Sequence, residues 1–440
     1  MNTFSGRCCQ PHAVIHTSLK GETRKLEQKL AQPDKSTFKS YLLFWSGQLV
    51  SLLGSSVSQF VIIWWITLET QSTFYLGVAS VLGLAPIVIL GPMAGVLADR
   101  WNRKLLILGA DLFQALTTLV LILLFWFTVP VLWQVFVLLT FKGVFQAFHM
   151  PTVFAIIPTM VPKEKLSRMN GVNYLFTSAI NIAGPVIAAV LLSIWAISQI
   201  LWIDVVTFLM ALVPLLLIRI PSVLKEQDKS SSFRRQLAEG LDFIRRARGL
   251  LALILLATAI NVLVTPMGTL LPYYVKFDHF GDAADLALVM AFIQGGLLVG
   301  AAIMSLVKVS RRKAAIMVSS MYVLLFGYTL VALTPTGLFW FMAMSGLIQT
   351  LCIPMIDVLA MTTLQTVVPV EMQGRVTSVV VSLAHAAQPI GMFFSGIVAV
   401  FIGTSNLFLG CAAAGLAVVT LSWFFTDVRH VEELEENSVK

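Results

Sequence analysis

Four ionisable side chains interrupt stretches of this 440-residue sequence that are otherwise almost wholly apolar: Asp111, Lys142, Asp204 and Asp357. Burial raises the pKa of a carboxyl group, and a nearby cation lowers it. A carboxylate that is alternately exposed to water and buried can therefore bind a proton and release it. The positions of these aspartates therefore indicate that the protein transfers protons. The alternative is that each aspartate forms a structural ion pair.

The candidate proton carriers differ in their place in the sequence. Asp111 and Asp357 are the leading candidates because they lie within apolar stretches of opposite halves of the sequence, where movement of one half would change their hydration. Asp204 and Glu69 lie closer to an end and come second. A structural role for Asp111 would pair it with the basic segment 100–104.

Polar side chains at helical spacing predict the lining of a cavity. Lys142, Gln146 and His149 recur at i, i+4 and i+7 and so share one helix face. A lysine deep in a membrane span is costly unless it faces a cavity or an acid. For His149, a hydrogen bond within the bundle is the preferred interpretation. The other predicted cavity residues are Gln48, Ser55, Gln59, Asn173, Asn181, Asn261 and His385. Hydrogen bonds between packed helices are the alternative for them.

The composition identifies the elements that must position these residues. Hydrophobic residues make up 58% of the chain and charged residues only 12%, about half of the usual charged share of a soluble protein. A transmembrane barrel would alternate apolar and polar residues, but the apolar runs here are unbroken, as from Leu119 to Phe127. The sequence therefore predicts an all-α membrane protein.

The apolar runs predict twelve transmembrane helices. The predicted spans are 41–68, 74–98, 105–127, 131–158, 167–193, 198–218, 249–275, 284–307, 314–334, 337–366, 376–401 and 404–426. No nucleophile with a matching base, metal-ligand set or phosphate-binding loop occurs in the sequence, so we predict no enzyme activity, cofactor or metal.

The distribution of basic residues orients the spans. The formal net charge is +8, yet all but two of the 30 Lys and Arg residues fall on one side of the predicted topology. The exceptions are Lys276, on the other side, and Lys142, within a span. This positive-inside pattern predicts a multi-pass protein of the inner cell membrane with both termini in the cytoplasm, and it argues against nucleic-acid binding.

A polar linker divides the chain into two halves. The predicted organisation is a cytoplasmic tail (1–38), a six-helix bundle (39–220), a cytoplasmic linker (221–247), a second six-helix bundle (248–426) and a cytoplasmic tail (427–440). Within the linker, Phe233, Leu237 and Leu241 recur every four residues and predict an amphipathic helix on the membrane surface. A flexible charged linker is the alternative.

An internal repeat supports the two halves. The pattern V-P-x-E-x-x-x-R occurs from Val161 to Arg168 and again from Val368 to Arg375, each time after the fourth predicted helix of its half. Many secondary transporters are built from two repeats, with the substrate site between them near the middle of the membrane. The repeat therefore predicts two pseudo-symmetric bundles around a central cavity.

The segment from Gly95 to Lys104 resembles the signature loop of the major facilitator superfamily, G-x-x-x-D-R-x-x-R-K, although Asn102 replaces the later glycine. The resemblance implies the major facilitator fold. It also implies a gating loop in which Asp99 docks against the start of the eleventh helix, where free N–H groups stabilise a carboxylate. Arg100, Arg103 and Lys104 would contact acids or lipid phosphates.

Further strings resemble the drug:proton antiporters of that superfamily, and the macrolide efflux group in particular. They lie at 109–112, 147–149, 203–205 and 219–221. A weaker likeness to the antiporter glycine-proline motif lies at Gly184 and Pro185. The resemblance implies a monomer in membrane lipid that exports lipophilic small molecules in exchange for protons by alternating access. A carrier for another solute, such as a siderophore or a lipid, and a receptor or channel are the alternatives.

Overall fold

The computed structural model describes residues 35–220, 239, 241–245, 249–306 and 312–430. The described part of the first half forms six helices. They are α1 (Lys35–Thr70), α2 (Thr73–Arg100), α3 (Arg103–Phe127), α4 (Leu132–Met160), α5 (Lys163–Leu192) and α6 (Ile197–Leu217). No strand occurs in the described residues, so the predicted all-α architecture is confirmed.

The described part of the second half repeats this arrangement, with two of its helices interrupted. Its helices are α7 (Leu250–Tyr273), α8 (Ala283–Leu306), α9 (Lys313–Ala332), α10a (Phe339–Leu351), α10b (Ile353–Val367), α11a (Val370–Ala386), α11b (Gln388–Ile402) and α12 (Thr404–Phe425). A π-helical turn, Tyr274–Asp278, extends α7. A two-residue connection precedes the fifth helix in each half. It consists of Val161 and Pro162 in the first half and of Val368 and Pro369 in the second.

Eleven helical segments among the described residues are long and apolar enough to cross a membrane. Helix α4 is the twelfth predicted span, and its 29 residues also suffice in length. It falls short in hydropathy because it carries Lys142, Gln146 and His149. Three of the predicted cavity residues thus lie on this span.

Prolines explain why the tenth and eleventh spans differ from the continuous helices predicted at 337–366 and 376–401. Pro354 and Pro389 each follow an interruption, at Cys352 and Ala387. A proline has no N–H for the carbonyl four residues earlier, and its ring collides with that carbonyl. The eleventh span also begins earlier than predicted, at Val370, where the helix continues beyond its apolar part.

The two halves share a core at one end of the molecule only. We call the end that holds Lys35 and Phe425 the terminal side. The largest cluster of buried apolar residues lies at the opposite side and combines residues of both halves, for example Val61 and Leu76 with Tyr274. On the terminal side, each buried cluster of the described residues belongs to a single half. The halves are therefore packed together at the opposite side and form separate cores at the terminal side.

Part of the linker packs on the second half. Residues 241–245 are helical, and Ile244 is fully buried against Leu250, Ile254 and their neighbours. Leu241 packs against the same cluster, whereas Phe233 and Leu237 of the predicted amphipathic helix lie outside the described residues. The described end of the linker thus contributes to the core of the second half on the terminal side.

Candidate functional site

A first polar cluster joins three helices of the first half. His149 on α4 places Nε2 3.1 Å from Oδ1 of Asp111 on α3. Gln48 on α1 donates from Nε2 to Asp111 Oδ2 at 3.3 Å, and its Oε1 lies 3.0 Å from His149 Nε2. Asp111 is buried, with 8% of its surface exposed. Asp111 therefore has a titratable base, His149, and an amide, Gln48, as its neighbours. The basic segment 100–104, which was the alternative partner, is not among the contacts described for it.

A second polar cluster surrounds Asp204 on α6. Lys142 on α4 places Nζ 2.9 Å from Asp204 Oδ2 and donates to Thr118 Oγ1 at 3.0 Å. Thr118 on α3 donates to Asp204 Oδ2 at 2.6 Å, and Ser55 on α1 donates to Oδ1 at 2.7 Å. Both carboxylate oxygens thus have partners, as a buried ion pair requires. Asp204, which the sequence placed near the end of its span, is buried and holds four helices together.

The two clusters form two rungs of one ladder. Gln48 and Ser55 are seven residues apart on α1, as are Asp111 and Thr118 on α3 and Lys142 and His149 on α4. Seven residues are about two helical turns, so the rungs are separated by roughly 10 Å along the helices. Helix α4 runs opposite to α1 and α3, which places the rung of His149 nearer to the terminal side.

Glycines allow the helices to approach closely around the ladder. A Cβ on Gly54 would lie only 3.0 Å from the Cα of Asp204. The absence of a side chain at Gly54 therefore lets α1 approach α6 closely beside Ser55. A Cβ on Gly143, next to Lys142, would lie 3.2 Å from Cγ of Pro86 on α2. Small residues at helix crossings are how membrane helices bring their backbones together.

The remaining predicted cavity residues are dispersed. Asn173 on α5 accepts a hydrogen bond from the indole Nε1 of Trp45 at 2.8 Å. Gln146 and Asn181 are half-buried, and Gln59 and Asn261 are exposed. Glu69 is exposed in the last turn of α1, remote from both rungs. The side chain of His385 lies outside the described residues.

Asp357 lies on α10b in the second half. It is exposed on α10b, and it interacts electrostatically with Tyr174 on α5. Tyr174 is 44% exposed, and its hydroxyl forms a hydrogen bond with Ser178. Sequence reasoning missed Tyr174 because tyrosines are common in membrane helices. It also missed Thr118, for which the spacing of seven residues from Asp111 was an available signal.

The loop expected to act in gating caps helix ends. Arg103 donates from Nη1 to the carbonyl of Ala155 at 2.8 Å, and Lys104 donates from Nζ to the carbonyls of Leu216 and Ile218 at 2.8 and 2.7 Å. Asn102 accepts from the backbone N–H of Lys104 at 3.0 Å and so caps α3, as asparagine commonly does.

The rest of that loop is less closely surrounded. A Cβ on Gly95 would meet no atom within 4 Å. Asp99 and Arg100 lie in the last turn of α2, and their side chains lie outside the described residues. Docking of Asp99 against the eleventh helix therefore remains a prediction.

Comparison with known proteins decides the family. Residues 44–334 match the model of the Major Facilitator Superfamily. The chain belongs to the major facilitator superfamily. The crystal structure of a peptide transporter POT shares the fold, with a TM-score of 0.71 and 12% sequence identity over 92% of this chain and 98% of the other. The predicted major facilitator fold is therefore confirmed.

Drug efflux proteins are among the relatives of this major facilitator. Macrolide efflux protein A of Streptococcus pyogenes is 30% identical over 395 residues, which cover 89% of this chain and 97% of that protein. Multidrug efflux pump Tap of Mycolicibacterium fortuitum is 26% identical over 89% of this chain and 97% of its own length. The predicted resemblance to macrolide efflux proteins is confirmed, and the chain is a multi-pass membrane transporter.

Proposed function

We propose that this major facilitator exports lipophilic small molecules, macrolides among them, from the cytoplasm in exchange for protons. The observation that carries the proposal is the pair of Asp111 and His149, 3.1 Å apart within the membrane-spanning part of the first half. Ionisable residues within membrane spans are rare and mark ion or proton pathways. The names of the efflux relatives supply the class of substrate.

The proton would be carried by the rung nearer to the terminal side. When Asp111 is ionised, it accepts a hydrogen bond from Gln48 and attracts a protonated His149. A proton added to the carboxylate removes its negative charge and weakens both interactions, which changes how α1, α3 and α4 are held together. Protonation of Asp111 is thus linked to helix packing within the first half. Protonation favours the altered packing, and the altered packing favours protonation.

The second rung would hold the bundle rather than carry the proton. Asp204 is bound by Lys142, Thr118 and Ser55, and the cation stabilises its ionised form. Of the other two acids considered as proton carriers, Glu69 is exposed at a helix end, and Asp357 is on the second half. Asp111 is therefore the first candidate for the coupling acid and Asp357 the second.

Alternating access would use the asymmetry between the two ends of the molecule. The halves share one core at the opposite side and have separate cores at the terminal side. If the terminal side is cytoplasmic, as the basic residues predict, substrate enters between the halves from the cytoplasm or the inner leaflet. The loop from Gly95 to Lys104 would close this side after the halves rock, with Asp99 against the eleventh helix.

The membrane supplies energy for such an exchange. A charge that moves through a membrane potential releases about 2.3 kcal/mol per 100 mV. A proton that enters the cytoplasm can therefore drive the outward movement of a neutral substrate, whereas one-for-one exchange with a singly charged cation draws only on the pH gradient. In this account the protein binds the proton and the substrate in alternation and needs no nucleotide.

Inverted membrane vesicles test the proposal. The vesicles are prepared from an efflux-deficient bacterium that expresses the full chain, and a pH-sensitive dye reports the gradient formed by respiration. Addition of a macrolide should dissipate the gradient in wild-type vesicles, and Asp111→Asn should abolish this response. Glu164→Gln, which removes an exposed acid in the first turn of α5, is the matched control and should behave as wild type.

Two results would count against the proposal. A macrolide response in vesicles from both Asp111→Asn and Asp357→Asn, and in the double variant, would place the coupling acid elsewhere, with Asp204 and Glu69 next to test. No macrolide response in wild-type vesicles, combined with a response to an iron-free siderophore or a lipid analogue, would favour a carrier for another solute.

A further inference from the structure

Both polar contacts of the His149 ring are made by the same atom, Nε2. This nitrogen lies 3.1 Å from Asp111 Oδ1 and 3.0 Å from Gln48 Oε1. Because Gln48 donates from its Nε2 to Asp111 Oδ2, its amide is oriented with the oxygen towards the histidine. When Asp111 is ionised, the ring nitrogen Nε2 therefore faces two oxygens that can only accept, so it carries a proton whether the ring is neutral or charged.

The other ring nitrogen, Nδ1, is the atom of this rung that is left to exchange protons with water. It has no hydrogen-bond partner among the described residues, and 16% of the His149 side chain is exposed. In contrast, both oxygens of Asp111 have partners, in His149 and Gln48. The rung is also the one nearer to the terminal side, where the two halves have separate cores.

We propose that His149 is a proton shuttle between water and Asp111. A hydronium ion donates a proton to Nδ1 of the neutral ring, and the imidazolium then transfers the proton on Nε2 to Asp111 Oδ1. An N–H bond thus forms at Nδ1, the N–H bond at Nε2 breaks and an O–H bond forms on the carboxyl group. Release of the proton to water is the reverse sequence. The proposal rests on the proposed export function and identifies the atoms through which the exchanged proton enters and leaves.

The surroundings of the pair suit such a transfer. The 3.1 Å between Nε2 and Oδ1 falls within the range of about 2.6–3.2 Å over which a positioned side chain passes a proton. Asp111 is the one ionisable group that pairs with His149 among the described residues. Lys142 and Asp204, roughly 10 Å away on the second rung, are paired with each other. A proton on the ring therefore has a single acid to which it can pass.

Solid-state NMR of the full chain tests which ring atom exchanges. The protein is labelled with ¹⁵N at histidine and reconstituted in lipid, and the His149 signals are those that are absent from His149→Gln. In the neutral ring the proton should be on Nε2, and Nδ1 should gain a proton as the pH falls. A neutral ring with its proton on Nδ1 while Asp111 is ionised, or a ring that keeps both protons throughout the pH series, would overturn the shuttle.

The rate at which Asp111 is protonated tests the transfer itself. A light flash releases acid from a caged compound, and the infrared band of the protonated Asp111, identified by its absence in Asp111→Asn, is followed in time. The final pH is chosen for each protein so that this band reaches its full height. His149→Ala should slow the rise by about a hundredfold, the lower end of the acceleration that a positioned side chain gives to proton transfer. Added imidazole should restore the rate in this variant.

Controls distinguish a shuttle from a structural role. His279→Gln removes a buried histidine in the turn between α7 and α8, remote from the ladder, and should behave as wild type. Thermal unfolding establishes that each variant is folded. A wild-type rate in folded His149→Ala would overturn the proposal. A slow rise that imidazole does not accelerate would overturn it as well and would give His149 a structural role.

The infrared measurement separates this inference from the export proposal because it needs neither macrolide nor a gradient. Rapid protonation of Asp111 that depends on His149, in a protein that exports no macrolide, would support the shuttle and refute export. Macrolide–proton exchange that requires Asp111, together with an undiminished protonation rate in His149→Ala, would support export and refute the shuttle.

Discussion

Gly77 and Gly396 bring the two halves into backbone contact at the side opposite the termini. A Cβ on Gly77 of α2 would lie 3.1 Å from the Cα of Gly396 on α11b. One turn away on α2, Thr73 donates from Oγ1 to the carbonyl of Gly396 at 3.0 Å. The rings of Phe74 and Phe393 flank the crossing, with their centroids 6.4 Å apart. Alternating access requires this crossing to separate.

The first prediction is that a methyl group at the crossing opens the opposite side. In Gly396→Ala the new Cβ would lie 2.8 Å from the carbonyl oxygen of Thr73 and 3.1 Å from the Cα of Gly77, so the helices must shift. Overpacking typically costs 1–3 kcal/mol, which is enough to change a balanced conformational ratio by about tenfold. Gly410→Ala is the control, because a Cβ there would meet no atom within 4 Å.

Spin labels at Gln71 and Ile402 measure this opening. Both positions are exposed near the opposite side, and the four native cysteines are first replaced. Gly396→Ala should shift the distance distribution towards longer separations, and Gly410→Ala should leave it unchanged. Identical distributions for Gly396→Ala and the parent protein would show that the crossing does not hold the halves together.

The second prediction is that the rung of Lys142 and Asp204 stabilises the fold. Lys142→Met leaves a buried carboxylate without its cation, and loss of one partner of a buried pair typically costs about 3–5 kcal/mol. The additional change Asp204→Asn removes the charge and should recover most of the lost stability. Thermal unfolding in detergent is the measurement, and Lys39→Met, at an exposed lysine of α1, is the control. A double variant no more stable than Lys142→Met would contradict the ion-pair interpretation.

The third prediction concerns the pH dependence of stability at His279, in the turn between α7 and α8. The residue is 4% exposed, and burial lowers the pKa of its imidazole, although Asp278 and the carbonyl of Pro335 partly offset this effect. Because the pKa is lower in the folded state, the unfolded chain binds more protons as the pH falls through about 6.5. Stability is therefore highest above that pH and decreases below it.

The variant His279→Gln tests this dependence. Its melting temperature should fall less than that of the wild type between pH 7.5 and pH 5.5, since glutamine does not titrate. Between pH 7.5 and pH 8.5 the two proteins should show the same pH dependence. If the melting temperature of His279→Gln falls at acid pH by as much as that of the wild type, the effect comes from other groups.

Sequence patterns predicted the helices well because length and hydropathy determine which segments cross a membrane. They did not predict how the helices face one another. Asp111, Lys142, Asp204 and His149 were all identified as unusual, yet their pairing follows from the rotation and packing of α3, α4 and α6. The spacing of seven residues between rung members becomes informative only when the neighbouring helices are known.

Other features depended on the environment rather than on residue type. The sequence predicts that Asp204 lies close to the end of its span. In the structure, contacts with Ser55 and Thr118 make it part of the buried core. The sequence predicts one span over 337–366, whereas the helix is interrupted at Cys352, just before Pro354. Tyr174 carries no distinguishing sequence pattern, and only its electrostatic interaction with Asp357 distinguishes it in the structure.

Proton release on substrate binding is the decisive measurement for the role of Asp111. The purified protein in weakly buffered detergent solution is mixed with a macrolide at a series of starting pH values, and a pH indicator counts the protons released at each. We expect the wild type to release protons and Asp111→Asn to release none, although this variant should still bind the macrolide. Equal proton release by Asp111→Asn and the wild type would contradict the claim that the pair of Asp111 and His149 carries the exchanged proton.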